Sequence, residues 1–183
     1  MENYFEKIKK YLHNGHAKEM DNRIERLRMY IDEILLDMKD TQERRCGYLH
    51  LYGVSQTCAF IALKRNQDVE LATMAGMLHD LHSYKTQNTD KHAEQGAVLA
   101  RQILEELSLT NENETDLICS AIRNHSSKAI VHSAFDEVLK DADVLQHYVY
   151  NPLFPVMEHE KNRLQNLLTE FGIKPHQNDY EYR

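Results

Sequence analysis

The 183-residue chain has 42% hydrophobic and 28% charged residues, a net charge of −7 and a mean hydropathy of −0.65, so it is expected to fold as an ordinary water-soluble domain. With 6 Gly and 3 Pro it lacks the turns of a many-stranded β protein. Its acidic balance argues against a duplex DNA or RNA partner. No apolar run reaches the ~18–20 residues of a membrane span, and the N-terminus has neither the basic nor the apolar region of a secretory signal.

Taken in order, the apolar positions fall at helical spacing almost throughout. Tyr4, Phe5, Ile8, Tyr11 and Leu12 form a first stripe, stopped by Asn14-Gly15. Ile24, Leu27, Ile31, Ile34, Leu35 and Met38 form a second. Leu51, Val54, Cys58, Ile61 and Ala62 form a third, broken at Asn66-Gln67-Asp68, where Asp68 suits an N-cap for the stripe Leu71, Met74, Ala75, Leu78. The polar stretch 83–91 reads as a loop. Gly96 to Leu107, Leu117 to Ile122 and Phe135 to Val149 supply three more helices, the last broken by Pro152 and Pro155. Leu164, Leu167, Leu168 and Phe171 form a final helix closed by Gly172, with a polar tail from His176. Eight or so helices and no convincing strand predict an all-α domain. The three cysteines, Cys46, Cys58 and Cys119, have no CxxC spacing and read as free thiols in a reducing, cytoplasmic setting.

Polar residues interrupt these stripes in a pattern. His50 edges the third stripe, His79-Asp80 ends the fourth, and His92 lies four residues before Gly96. His125 follows Ala121 by four, and Asp143 follows Leu139 by four. Five helices thus each turn a histidine or a carboxylate inward. Buried alone, each would cost several kcal/mol, roughly 2–7 by transfer scales, so they need partners. Imidazoles and carboxylates satisfy one another or a metal. A His/Asp set without thiolate suits Fe, Mn, Ni, Zn or Co. Six ligands exceed the needs of one tetrahedral zinc and fit one octahedral metal or two metals sharing an aspartate. Two metals ~3.5–4 Å apart form the clamp used on phosphate esters. No His-Glu-x-x-His occurs, nor any Glu-x-x-His, so a zinc protease and a ferritin-like di-iron bundle are excluded.

The order His50, His79-Asp80, His92, His125, Asp143 resembles the HD superfamily of metal-dependent phosphohydrolases. The likeness runs over about 44–150, through Ala59-Phe60-Ile61-Ala62, Ala75-Gly76-Met77-Leu78-His79-Asp80, His92-Ala93-Glu94-Gln95-Gly96-Ala97, Ala121-Ile122-Arg123-Asn124-His125 and Asp141-Ala142-Asp143-Val144-Leu145. It implies an HD-domain helical bundle over 41–150, with an N-terminal helical extension over 1–40 and a C-terminal helix and tail over 151–183. It implies His50, His79, Asp80 and Asp143 as core metal ligands, with His92 and His125 completing a second position. The metal would be one or two divalent ions per chain, Fe or Mn favoured, with Ni, Zn, Co or Mg as other fits. Small stand-alone bacterial members are the best likeness. The diadenosine-tetraphosphate hydrolases among them share the His92 segment, but where they carry lysine two residues after the aspartate this chain has His82.

The resemblance therefore implies hydrolysis of a phosphate ester or phosphoanhydride in a nucleotide or dinucleotide polyphosphate, by a metal-activated water. Asp80 would bridge the metals or orient that water, with Lys85 and His82 as further catalytic candidates. Lys85, Lys128 and Lys140 are candidate substrate-binding cations; Arg123 points elsewhere on its helix. His147, four after Asp143, is a candidate support for a ligand, and His132 and His159 read as surface. The rival function is an HD-type nucleotide-binding regulatory module; a bare structural bundle would hold no metal. The N-terminal helices would cover the bundle or pair two chains as a homodimer.

Overall fold

A computed structural model describes residues 22–174. The stripe at Tyr4–Leu12 and the tail from His176 lie outside them. Among the described residues eight α-helices follow one another: α1 (Arg23–Asp37), α2 (Thr41–Arg65), α3 (Val69–Leu78), α4 (Leu81–Thr86), α5 (His92–Glu106), α6 (Glu112–Asn124), α7 (Ala134–Tyr150) and α8 (Lys161–Glu170), with a 3-10 turn at Glu158–Glu160 before the last. No strand occurs among the described residues. None of these helices is long and apolar enough to cross a membrane.

Local signals in the sequence start and stop these helices. Asn22 and Asp40 each accept two amide hydrogen bonds at the N-termini of α1 and α2, and Asp68 caps α3 through the Leu71 amide. Asn111 and Glu114 form a reciprocal capping box on α6, and Ser133 caps α7. Asn66 ends α2 in the left-handed conformation at φ 53°, which asparagine tolerates better than most residues.

The core is built from one face of nearly every helix. Leu27, Ile31 and Leu35 of α1 are fully buried, so α1 covers the bundle. The Arg23 guanidinium fixes its start by bonding Glu70, Glu114 and the Leu109 carbonyl. Helix α3 is buried at every residue from Leu71 to Leu78 and runs through the middle. Two glycines set distances that matter for the site. A Cβ on Gly76 would stand 2.6 Å from the Ser55 Cα, so glycine lets α3 press against α2. A Cβ on Gly96 would stand 2.8 Å from the His79 carbonyl oxygen, so α5 can pass directly over the end of α3.

Two expectations need correction. Residues 83–91 are not all loop: α4 occupies Leu81–Thr86. Its apolar signal is a single i, i+3 pair, with Leu81 fully buried and Tyr84 packed on the core, too short to register as a stripe. Helix α2 begins ten residues before Leu51, because its first turns pack Gly47 against Leu35 and Tyr84 rather than showing an apolar face of their own.

Candidate metal centre

The C-terminal ends of α3 and α6, the N-terminal end of α5 and the middles of α2 and α7 meet at one point. His79 stands immediately after α3 and His125 immediately after α6. Both use the same local device. The His79 Nδ1–H donates to the Gly76 carbonyl at 2.8 Å, and the His125 Nδ1–H donates to the Ile122 carbonyl at 2.6 Å. A carbonyl can only accept, so each ring keeps its proton on Nδ1 and turns a bare Nε2 lone pair inward. His50 on α2 is held likewise, its Nδ1 donating to Gln146 Oε1 at 3.0 Å.

These lone pairs converge on each other and on carboxylates. His50 Nε2 lies 3.0 Å from His79 Nε2. Asp80 Oδ2 is 3.4 Å from His50 Nε2 and 3.6 Å from His79 Nε2, while its Oδ1 is 3.4 Å from His125 Nε2 and 4.0 Å from His92 Nε2. One carboxylate thus turns one oxygen to each of two imidazole pairs. Asp143 Oδ1 lies 3.7 Å from His50 Nε2 and 3.9 Å from His79 Nε2, and Asp143 Oδ2 takes the Lys128 ammonium. His50, His79, Asp80, His92, His125 and Asp143 are therefore brought together.

The donor set fits a cation. Asp80 Oδ1 and Asp143 Oδ1 are buried without any hydrogen-bond donor, and imidazole lone pairs face them. Acceptors facing acceptors in a buried site are unfavourable unless a positive charge lies between them. Four overlapping groups of these residues place their ligand atoms within 4.8 Å of one another. Burial presses the His79 imidazole down to about 4, so it is neutral and able to ligate near pH 7. Burial would raise the Asp143 carboxyl, but Lys128 beside it holds it well below the usual range.

Beside the cluster opens a cavity of about 490 Å³. His50, Asp80 and His147 form its floor, and Tyr84, Tyr148, Tyr150, Phe154, Val156 and Met157 are among its walls. No Lys or Arg among the described residues lines it.

The candidate cations are placed differently from expectation. Lys140 does not reach a substrate site: it is fully buried and bonds the Ile130 carbonyl at 2.8 Å, Glu137 Oε1 at 2.8 Å and His132 Nδ1. His132 is thereby half-buried rather than on the surface. Lys85 is exposed at the end of α4, outside the cavity wall, because the segment is helix and not a loop free to fold over. His82, also on α4, does not line the cavity; its Nδ1 is buried without a partner. Lys128 is at the centre, yet its ammonium is engaged by Asp143 and its side chain is 6% exposed. Arg123 and His159 are exposed.

Three participants were not singled out by sequence: Gln146, Tyr84 and Glu160. Gln146 follows Asp143 by three and shares its face, a spacing that could have flagged it. Glu160 carries no such signal, since it is delivered by the chain that returns after Pro152 and Pro155.

The HD domain family model matches residues 47–147, more than half of the chain. No curated protein matches the sequence. The fold resembles the crystal structure of a predicted HD superfamily hydrolase from an uncultured Thermotogales bacterium, at 22% identity and a TM-score of 0.53, over 81% of this chain and 88% of that one. That likeness is one of fold. The family match begins three residues before His50 and ends on His147, so it spans every member of the cluster, and the chain belongs to the HD superfamily.

Proposed function

We propose that this protein is a metal-dependent hydrolase that cleaves a phosphate ester or phosphoanhydride bond in a nucleotide-like substrate. The observation that carries this reading is the pair of buried, donor-less carboxylate oxygens, Asp80 Oδ1 and Asp143 Oδ1, faced by inward-turned Nε2 atoms. His50, His79, Asp80 and Asp143 would hold one divalent metal, and Asp80, His92 and His125 a second. Iron or manganese suits this mixed nitrogen and oxygen set best. When bound, such metals polarise phosphoryl oxygens and make water a nucleophile near neutral pH.

The chain's own residues supply position and charge. The Gly76 and Ile122 carbonyls and Gln146 lock three ring orientations before any ligand arrives. Asp80, at the junction of the two imidazole pairs, would bridge the metals or orient the attacking water. Lys128 keeps Asp143 ionised and pins its Oδ2, leaving Oδ1 for the metal. The aromatic wall takes the ring-bearing part of the substrate through stacking. With no cation among the described lining residues, the cavity favours one phosphoryl group at the cluster over a long polyphosphate laid along the wall.

The test is metal content per chain on protein purified without a metal-affinity step, beside a His50→Ala/Asp143→Ala double variant, followed by a hydrolysis screen of nucleotides and simple phosphate esters. One or two metals per chain, lost in the variant together with hydrolysis, is the expected result. Failure of the wild type to take up Mn, Fe, Ni or Zn would overturn it.

A further inference from the structure

Four residues past Asp143, His147 stands at the cavity floor, and a carboxylate from beyond the matched domain holds it there. Its ring lies flat against His50, with centroids 5.3 Å apart and planes 11° apart. Its Nδ1 is 3.2 Å from Glu160 Oε1, and its Nε2 is 3.3 Å from Asp143 Oδ1. The Glu160 side chain is 5% exposed, so it needs a donor, and the His147 Nδ1–H is that donor. The proton on Nδ1 leaves a lone pair on Nε2, facing a buried carboxylate oxygen that itself has no donor. This is the carboxylate–histidine arrangement that fixes the tautomer of metal-bound imidazoles. His50, Asp143 and His147 place ligand atoms within 4.8 Å of one another.

We propose that His147 is a further metal ligand, held in ligating orientation by Glu160. The proposal rests on the metal-centre reading above and extends it. Glu160 lies thirteen residues past the end of the family match and reaches the site because α8 packs on α7. Leu164 and Leu168 bury against Val144, which sets the 3-10 turn carrying Glu160 beside His147. A further imidazole raises the nitrogen share of the donor set, so the chemical consequence is selection of transition metals against magnesium. Glu160 acts through His147 and is a positioning residue.

The test uses metal-free full-length protein titrated with Co(II), read by its visible ligand-field bands, with Mg(II) as competitor. His147→Gln is expected to change the bands and weaken Co(II) binding by roughly tenfold to a hundredfold or more, the scale reached when even the outer support of a metal ligand is removed. Glu160→Gln, whose amide oxygen can still accept from Nδ1–H, is expected to keep the wild-type bands, and Glu160→Leu to lose them. His159→Gln, exposed and outside the cavity lining, serves as the unchanged reference and controls for any disturbance of the turn that carries Glu160. Bands and affinity in His147→Gln that match those of His159→Gln would overturn the proposal while leaving the metal centre standing. No Co(II) uptake by the wild type would overturn the metal centre itself. Should His147→Gln fail to fold, the Glu160 pair decides alone, because identical bands in the Gln and Leu variants would equally overturn it.

Discussion

Helix α7 borders two polar regions, one reaching the surface and one buried, and they differ in how their charges are met. Toward α8 and the end of α2 lies a network of three cations and three carboxylates. Arg163 bonds Glu137 at 2.7 Å and Asp141 at 2.6 Å, Arg65 bonds Asp141 at 2.6 Å and Glu170 at 2.7 Å, and Lys140 bonds Glu137 at 2.8 Å. No buried side-chain atom of these six lacks a partner. Toward α3, α5 and α6 lies the histidine cluster, where two carboxylates meet one ammonium and two of their oxygens have no donor. The network is complete as protein. The cluster becomes complete only with something positive added. Buried polarity alone does not mark a site; polarity whose acceptors face each other does. Lys128 touches both regions, its ammonium on Asp143 and its carbonyl accepting from Arg163 at 2.8 Å.

The comparison breaks first, and hardest, at the cluster. Asp80→Ala removes the carboxylate that faces both imidazole pairs. Metal-dependent hydrolysis is expected to fall by roughly a thousandfold or more, since metal polarisation is worth several kcal/mol in the transition state. Metal content would fall in parallel. Added metal at a hundredfold excess over its Kd should raise the wild-type melting temperature by roughly 5–10 °C, from about 2.7 kcal/mol of binding linkage, and leave that of the variant unmoved. Equal metal-induced shifts in the two proteins would show that the ion binds elsewhere.

The opposite outcome is expected at the network. Arg163→Met leaves Glu137 with Lys140, and Asp141 with Arg65, so it strips one cation rather than all. The cost should be about 2–3 kcal/mol, below the ~3–5 of a fully broken buried pair, and should show in urea unfolding with metal affinity little changed. Lys128→Met tests the link between the regions. It frees Asp143 Oδ2 and is expected to weaken metal binding by roughly tenfold to a hundredfold, as loss of a ligand's support does, measured by competition with a chelating dye. A network variant that lost metal as fully as Asp80→Ala would abolish the distinction.

The sequence disclosed the two regions unequally. Helix positions were legible because 3.6-residue periodicity and caps such as Asp68 and Asn66 are local. The convergence of His50, His79-Asp80, His92, His125 and Asp143 was legible because each interrupts an apolar stripe, and a stripe says which way a side chain faces. Lys140 was misread for the same reason that Asp143 was not. Spacing gives its direction around α7 and places Glu137, its charge partner, three residues before it, but the Ile130 carbonyl and His132 that complete its cage come from the preceding loop, which has no period. Lys85 was misplaced because α4 offers only Leu81 and Tyr84 as apolar evidence. Glu160 was invisible because its position depends on how α8 folds back on Val144, a contact no local pattern encodes.

The smallest effect separates the regions by pH. Burial would raise the Glu137 carboxyl, but Lys140, the His132 amide and Arg163 outweigh it and hold the group at about 2. In the unfolded chain the same carboxyl titrates near ~4.3. A carboxyl depressed on folding contributes stability that is fully present above its unfolded value and is lost as pH falls toward its folded one. Wild-type stability should therefore decline between roughly pH 4.3 and pH 2 through this group, and Glu137→Gln should flatten that limb while lowering stability near neutrality. Urea midpoints at pH 6 and pH 3 for the two proteins give the comparison. If both lost the same increment, the network's acid sensitivity would have to come from Glu170 instead, and the paired charges around Glu137 would be a matter of geometry rather than of stability.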